Sequence, residues 1–386
     1  MIDRYEFPDS CRVLPEKGEA DPRFSFAGIH EVLDHPVDYP ALSAAIVPGD
    51  KVAVAVSSQI PKVGSILEPV LEYLSEVVES PADLTLVFPS PKVLDAAKQT
   101  LTENAWQALC EQATVTTIDP TDAEALAYLG VDQVGNPAYV CREVFDADVV
   151  VPITRQDLAN RQTSMGVFPD FCFTQRFEGN EESIQIATAL DFDNLEPNDI
   201  NDRLGIFFAC EVVVGPGNDI RKVIAGERRQ VQALATSMLD QIWKVEIQSE
   251  PDLVVATVEG EADEQSWRSF CDALGNAGAF SANCPVLVLT ELHDKPPKDL
   301  EKAIQGELSG SPIKVRESWH QLFVDEVGRR PIHLQSNLPA DFVENLGLGF
   351  VAENAEVQRL IDRAESCVVL RDAHRCHVQQ TVERLR

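Results

Sequence analysis

Short apolar runs alternate with amphipathic stretches along the first half of the chain. Residues Val52–Val56 form an unbroken apolar run rich in valine, the pattern of a strand that is buried on both faces. A polar turn follows at residues 57–61, and Ile66–Leu74 then carries apolar residues at helical spacing. A strand, a turn and a helix in this order predict that the turn lies at the carboxyl end of a parallel strand, where open α/β sheets bind their ligands.

The same alternation continues through the chain in two series, which predicts an α/β fold with two α/β domains, residues 1–248 and residues 249–386. Residues 154–204 show no long period, so we expect a loop-rich insertion with short helices there. The predicted strands are Leu84–Phe88, Ala113–Ile118, Ala147–Ile153, Ile206–Val214 and Ile220–Ile224 in the first series, and Leu253–Val258, Val286–Leu289, Pro331–Leu334 and Cys367–Leu370 in the second.

The net charge of the chain disfavours some classes of binding partner. The chain has a formal charge of −31 and a pI near 4.5, and such a field repels nucleic acid and anionic lipid surfaces. No apolar run reaches the roughly 18 residues that a membrane span needs. The first residues, MIDRYEFPDSC, lack the basic and apolar regions of a signal peptide. We therefore expect a cytoplasmic protein without nucleic-acid or membrane partners.

The cysteines also favour a cytoplasmic location. There are nine of them, an odd number, and none forms a CxxC pair. Several stand in apolar context, such as Cys210 in IFFAC. This usage predicts buried, reduced thiols rather than a disulfide framework.

The order of the segments resembles the nickel-dependent lactate racemase family over residues 29–378. The segments that carry the resemblance are VLDHPVDYPALSAAIVPGDKVAVAVSSQIPKVGSILEPVL, FDADVVVPI, FFACEVVVGPGNDIRKVIAGERRQVQALA, ESWHQLF and VVLRDAHRCHV. The resemblance implies two α/β domains with the active site in the cleft between them. It also implies nickel in a pincer nucleotide, attached through a lysine and ligated by a histidine, with two further histidines exchanging a proton of the substrate.

Most family residues with a chemical role are replaced in this chain. Where the family has Asp-x-Thr-Arg-Pro in its first turn, this chain has Ser57, Ser58, Gln59, Ile60 and Pro61, so the carboxylate-binding arginine is lost. The other replacements are Lys92 for the histidine of a Gly-x-His turn, Met165 for the cofactor lysine, and Arg268 and Cys271 for a Gln and a Lys on a helix of the second domain. Trp319 in ESWHQLF is retained.

The positions of the histidines also indicate that the family's chemistry is lost, and this observation does not depend on an alignment. The chain has seven, and none lies between residues 36 and 292, where the family keeps its nickel histidine and both catalytic ones. We therefore predict that the nickel-pincer nucleotide does not bind and that no metal is held. The seven are His30, His35, His293, His320, His333, His374 and His377.

Two clusters remain as candidate sites. One is a group near the C-terminus, Asp372, His374, Cys376 and His377, which we interpret as side chains of a strand end rather than as a metal site. The other is a cationic group that could attract a small carboxylate or phosphate, although its members could also be ordinary surface residues. Its members are Lys92, Arg155, Arg161 and Arg268.

Three functions stay open from the sequence. The first is a pseudoenzyme, or a protein that binds a small carboxylate or anion, with Ser57, Ser58, Gln59, Arg155, Arg268 and Trp319 as its binding residues. The second is a hydroxy-acid racemase, epimerase or related enzyme with Lys92 as base. Because a lysine acts as a base near neutral pH when burial removes its charge, this function predicts a buried Lys92. The third is a structural or interaction subunit with a vestigial cleft.

Overall fold

The structure is a computed structural model. It describes residues 2–15, 25–58, 60–131, 137–156, 166–178, 181–186, 197–247, 249–260, 262, 265–281, 283–310 and 318–380.

Helices and strands are numbered here in chain order. The helices are α1 (Ile29–Asp34), α2 (Leu42–Ala45), α3 (Val63–Val77), α4 (Pro91–Gln99), α5 (Glu103–Gln112), α6 (Arg142–Phe145), α7 (Pro197–Arg203), α8 (Arg228–Trp243), α9 (Trp267–Gly278), α10 (Lys298–Leu308), α11 (Ser318–Arg329), α12 (Ala340–Asn345) and α13 (Asn354–Asp362). The strands are β1 (Arg12–Leu14), β2 (Val52–Val56), β3 (Leu84–Phe88), β4 (Thr114–Thr117), β5 (Leu126–Val131), β6 (Pro137–Cys141), β7 (Val149–Thr154), β8 (Cys172–Glu178), β9 (Glu181–Ile186), β10 (Phe208–Gly215), β11 (Asp219–Glu227), β12 (Lys244–Ile247), β13 (Leu253–Thr257), β14 (Val286–Leu289), β15 (Ile332–Gln335), β16 (Gly349–Phe350), β17 (Cys367–Leu370) and β18 (His377–Gln380).

The chain forms two compact α/β units, which confirms the predicted fold class. The N-unit consists of Glu19–Val214 and Asp219–Met238. The C-unit consists of Met1–Gly18, Gly215–Asn218 and Leu239–Arg386, so the first residues of the chain belong to the same unit as the last. The predicted boundary at residue 248 and the cleft between the domains stay predictions.

The main sheet of the N-unit has the strand order β11-β10-β7-β2-β3-β4. Strand β2 pairs in parallel with β3 on one side and with β7 on the other, and all five of its residues are buried. From β2 the chain first moves to β3 and β4, and later returns to the opposite side of β2 through β7, β10 and β11. The direction of strand addition therefore reverses between β2 and β7, and this is the topological switch point of the sheet.

A second sheet of the N-unit is antiparallel, with the order β5-β6-β8-β9. Strands β8 and β9 lie within residues 154–204, so the prediction of a loop-rich insertion with short helices was wrong for this part. Apolar residues of β6 and β8, among them Val140 and Phe173, join a buried cluster with Phe168 and Phe171. The polar residues that alternate with them concealed the strands from a search for continuous apolar runs.

The C-unit has a sheet of the order β1-β17-β13-β14-β15-β16, in which all neighbouring strands are parallel. Every residue of β13, β14 and β17 is buried, as their unbroken apolar sequences predict. Strands β12 and β18 form a separate parallel pair. Among the described residues, no helix has both the length and the apolar character required to cross a membrane.

The cysteines follow the sequence prediction with one exception. Seven are free thiols, and six of these are buried. Cys11 and Cys367 are joined by a disulfide, with their Cα atoms 4.6 Å apart. The expectation of reduced thiols was wrong for this pair, because the sequence pattern did not show that the segment around Cys11 lies beside β17.

Gly226 marks a close backbone crossing at the end of β11. Its φ is +150°, and a Cβ placed on it would lie 2.1 Å from the carbonyl oxygen of Val37. The crossing is tied by two backbone hydrogen bonds, from Val37 N–H to the oxygen of Ala225 and from Glu227 N–H to the oxygen of Val37, each 2.8 Å long. Only glycine fits here without a shift of the main chain.

We expect Gly226→Ala to lower the free energy of unfolding by about 3 kcal/mol, because it combines an unfavourable φ with a clash against backbone. Gly49→Ala is the matched control, since Gly49 has a φ of +90° but open space around its Cβ. Its loss should be about 1 kcal/mol. Urea unfolding of both variants measures the difference, and equal losses would contradict the steric argument.

Candidate functional site

The carboxyl ends of β2 and β7 lie side by side at the switch point of the N-unit. Val56 pairs with Ile153 in the last rung of the ladder, and the N–H of Ser57 donates to the carbonyl oxygen of Ile153 at 2.9 Å. This bond extends the pairing one residue beyond β2 and fixes Ser57, which is 2% exposed, beside the end of β7. Arg155 directly follows β7, so two predicted binding positions meet at one edge.

Ser58 connects this edge to the turn at residues 166–171. Its N–H donates to Oδ2 of Asp170 at 2.7 Å. The turn is held in place from the other side by Asn201, whose Oδ1 accepts from the N–H of Val167 at 3.1 Å. In the resemblance to the lactate racemase family, this turn corresponds to the segment that follows the cofactor lysine. Position 165, where the cofactor lysine is expected, and the predicted binding residue Gln59 lie outside the described residues.

Asp170 is a partly buried carboxyl group at this point. Burial raises its pKa, and hydrogen bonds from Ser58 and Ser57 offset only part of that effect. The negative charge of Asp170 is therefore disfavoured relative to an aspartate in water.

A second carboxyl group lies on the neighbouring strand. Glu211 of β10 stands opposite Thr154 of β7, and the hydroxyl of Thr154 donates to its Oε2 at 2.5 Å. Glu211 is 5% exposed. Burial raises the pKa of Glu211 to about 7, against the lowering effects of the Thr154 hydroxyl, the N–H of Gln156 and the charge of Arg155.

Arg155 and Gln156 complete the edge after β7, and both are buried. The hydroxyl of Thr236 on α8 lies 3.2 Å from Oε1 of Gln156, which fixes this amide against the helix. Arg155 stands next to Thr154 in the chain, and its charge acts on Glu211.

We call this group the switch-point site and define it as Ser57, Ser58, Thr154, Arg155, Asp170 and Glu211. It combines one permanent cation with hydroxyl groups and two carboxyl groups that resist ionisation. A guanidinium can bind a carboxylate or phosphate through charge-assisted hydrogen bonds. A buried glutamate whose pKa lies near neutrality can accept and return a proton.

Lys92 does not lie inside this site. It occupies the first turn of α4, after β3, and is exposed. The expectation of a buried Lys92 was therefore wrong. Ser90 caps this helix by accepting from the N–H of Val93, and Pro91 occupies its first position, so helix geometry determines where Lys92 stands.

Arg268 and Trp319 belong to the C-unit. Nε of Arg268, on α9, lies 3.9 Å from Oδ2 of Asp272 one helical turn further on. Trp319, on α11, stacks edge-on against His320 with ring centroids 3.9 Å apart. Of the predicted binding residues that the structure describes, it brings together Ser57, Ser58 and Arg155 in the N-unit.

The group near the C-terminus differs from its interpretation as a strand end. Residues 373–375 form a short turn before β18. His374 within the turn is buried, and so are Asp372 and Cys376, which flank it. Oδ2 of Asp372 accepts from the N–H of Gly217 at 3.0 Å, and the N–H of Asp372 donates to the hydroxyl of Thr257. Among the residues that the structure describes, no three side chains of metal-binding types lie together.

Glu211 and Asp170 were missed from the sequence. Glu211 is the only charged residue in the run FFACEVVV, and a carboxyl group inside a fully buried strand is a signal that could have identified it. Asp170 carries no such signal, because it follows Phe168–Pro169 in a turn whose position depends on the fold.

Comparison with known proteins finds a matching domain model and two similar structures. Residues 6–155 match the model of the lactate racemase N-terminal domain. The chain resembles the lactate racemase apoprotein from Thermoanaerobacterium thermosaccharolyticum with a TM-score of 0.61 at 14% identity, over 97% of each chain. It resembles a protein from Thermotoga maritima with a TM-score of 0.58 at 11% identity, over 92% of this chain and 96% of that one. No curated protein matches the sequence. At such identities the structural likeness is one of fold.

The burial of Glu211 predicts a distinct pH dependence of stability. Its folded-state pKa is raised from 4.5 to about 7, so its contribution to stability is complete below about pH 4.5 and is lost as the pH rises through 7. Glu211→Gln removes this loss. Between pH 5 and pH 8 the wild type should lose about 3 kcal/mol more stability than Glu211→Gln.

Urea unfolding across this pH range measures the effect. Glu76→Gln is the matched control, because Glu76 is exposed on α3 and its replacement should leave the pH profile of the wild type unchanged. Parallel profiles for the wild type and Glu211→Gln would contradict the raised pKa.

Proposed function

We propose that this chain, whose residues 6–155 match the lactate racemase N-terminal domain, binds a small carboxylate or a similar anion at the switch-point site without using the nickel-pincer nucleotide. The observation that carries this proposal is the placement of Arg155, Ser57 and Ser58 at the switch point of the N-unit sheet. Open α/β sheets bind their ligands at this place.

The sequence supports the loss of the cofactor. No histidine stands between residues 36 and 292, and Met165 takes the place of the lysine to which the family attaches its nucleotide. The described residues of the site offer hydroxyl, carboxyl and guanidinium groups. None of these is the histidine nitrogen or the lysine amine through which the family holds its cofactor, so this donor set does not fit the nickel-pincer group.

The electrostatics of the site favour an anionic ligand at mildly acidic pH. Below about pH 7 Glu211 is mostly neutral, since its pKa is raised to about 7. Burial also disfavours the charge of Asp170. Arg155 is the cation of the site, and a guanidinium in a buried setting binds a carboxylate more strongly than one in water.

We expect L-lactate, D-lactate or inorganic phosphate to bind about ten-fold more tightly at pH 6 than at pH 8, because Glu211 gains a negative charge over this range. Arg155→Gln should weaken binding at pH 6 by at least about ten-fold. Isothermal titration calorimetry with each of the three probes measures both effects.

Arg363→Gln is the control, since Arg363 is exposed at the end of α13 and its loss should leave binding unchanged. A melting temperature of Arg155→Gln close to that of the wild type excludes unfolding as the cause. If none of the probes binds the wild type at either pH, the protein is better explained as a structural or interaction subunit.

A second candidate function is catalysis on a hydroxy acid or related carboxylate, with a constellation that differs from that of the family. The exposure of Lys92 weighs against its role as the base. Glu211 is the better candidate, because it is buried, lies at the switch point and has a pKa near neutrality. In this function Glu211 takes a proton from the substrate and returns one.

Proton NMR of L-lactate in D₂O distinguishes binding from catalysis. Turnover exchanges the hydrogen on the hydroxyl-bearing carbon for deuterium, and Glu211→Gln should then slow the exchange by at least about a hundred-fold. Lys92→Ala should leave the rate unchanged. If Lys92→Ala abolishes exchange and Glu211→Gln does not, the assignment of the base to Glu211 is wrong.

The loss of the cofactor is tested by co-expression with the enzymes that make the pincer nucleotide. Purified protein should have its bare polypeptide mass by intact-mass spectrometry and carry no nickel above background. Authentic lactate racemase expressed in the same strain serves as the positive control. A covalent nucleotide adduct together with nickel on this chain would restore the racemase mechanism.

A further inference from the structure

The first residues of the chain form a strap across the C-unit, which we define as residues 2–14. Its end is strand β1, which pairs in parallel with β17 over only three positions. One further backbone bond extends this pairing, from the N–H of Arg371 to the carbonyl oxygen of Leu14 at 2.7 Å.

The strap covers apolar residues of the C-unit sheet. Ile2 and Tyr5 are buried in one cluster with side chains of β13 and β14, including Val255 and Leu287. The hydroxyl of Tyr5 donates to Oε1 of Gln335 at 2.7 Å, at the end of β15. The strap therefore completes the core of a unit that is otherwise built from Gly215–Asn218 and Leu239–Arg386.

Polar contacts with α13 are reciprocal. The N–H of Glu6 donates to Oε1 of Gln358 at 2.9 Å, and Nε2 of Gln358 donates to the carbonyl oxygen of Glu6 at 2.7 Å. Both residues lie at the surface, where such bonds each contribute little net stability. Apart from the burial of Ile2 and Tyr5, the non-covalent attachment of the strap consists of the three-residue β1 pairing and a few exposed bonds.

The disulfide adds a covalent link to this attachment. Cys11 directly precedes β1 and Cys367 begins β17, so the bond joins the two strands at the start of their pairing. Of the nine cysteines only these two are bonded. Six others are buried thiols, and burial raises the pKa of each, which makes them poor partners for thiol exchange.

We propose that the Cys11–Cys367 disulfide is a redox switch that holds the strap on the C-unit when it is oxidised and loosens the strap when it is reduced. In the oxidised protein the bond holds β1 against β17. A dithiol reductant transfers two electrons and two protons to the bond: the sulfur–sulfur bond breaks, two cysteine thiols form, and the dithiol closes into its own disulfide. The strap then remains attached only through non-covalent contacts, namely β1 pairing, the burial of Ile2 and Tyr5 and the bonds with α13, and opens more often.

The position of the bond in the sequence makes this control effective. The two cysteines are 356 residues apart, so the bond closes a loop that contains almost the whole chain. A bond across so long a loop removes more freedom from the unfolded chain than one across a short loop. Its reduction therefore affects the stability of the whole C-unit as well as the strap.

The first test is made on the full-length protein, purified in air and treated or not with dithiothreitol. Intact-mass spectrometry after denaturation should show the untreated protein about 2 Da lighter than the treated one, as one disulfide requires. Reduction should lower the melting temperature by about 5–10 °C. Trypsin should cleave after Arg12, inside β1, about ten-fold faster in the reduced protein.

Two variants identify the bond responsible. Cys11→Ser should have the low melting temperature and fast cleavage of the reduced wild type, and dithiothreitol should not change either value further. Cys11→Ala provides a second replacement in case the serine hydroxyl itself disturbs the strap. Cys110→Ser is the matched control, because Cys110 is the exposed free thiol, and this variant should respond to dithiothreitol as the wild type does.

Two results would overturn the proposal. If the air-purified protein has the mass of nine free thiols, the bond does not form in solution. If the bond is present but its reduction leaves both the melting temperature and the cleavage rate unchanged, it does not fasten the strap.

Discussion

The parallel pairing of β2 with β7 is the constraint on which the candidate site depends. It sets Val56 opposite Ile153, and the next backbone bond then fixes Ser57 beside the end of β7. The pairing of β7 with β10 sets Glu211 opposite Thr154 in the same way. Because side chains alternate between the faces of a strand, a slip of one residue in either pairing would turn these groups to the other face. The buried carboxyl group thus follows from strand register.

The strands of the sheet and the residues that follow them are under different physical constraints. Strands β2 and β7 are buried nearly throughout, so packing restricts what they can contain. The residues just after their ends, such as Ser58 and Arg155, are polar and do not belong to the apolar clusters. Function in such folds depends on residues at these positions more than on the strands themselves.

The sequence predicted the fold far better than the site, and particular residues show why. Strands such as β2, β13 and β17 are continuous apolar runs, so composition alone identifies them. The hairpin of β8 and β9 alternates polar with apolar residues and was missed. Lys92 looked like a site residue because the resemblance sets it where the family has a histidine, but the helix that begins at Pro91 leaves it exposed. Glu211 looked like one residue of an apolar strand, and its environment depends on a partner 57 positions away.

The pairing of β1 with β17 affects the order in which the C-unit can fold during synthesis. Strand β1 leaves the ribosome long before the strand that it pairs with, which begins at residue 367. At about 5–20 residues per second, β1 waits tens of seconds for its partner. The N-unit contains every residue that its main sheet needs well before then, since β11 ends at Glu227. Strand β1 can therefore pair only after the main sheet of the N-unit has been synthesised, and Cys11 stays without its partner until Cys367 has been translated.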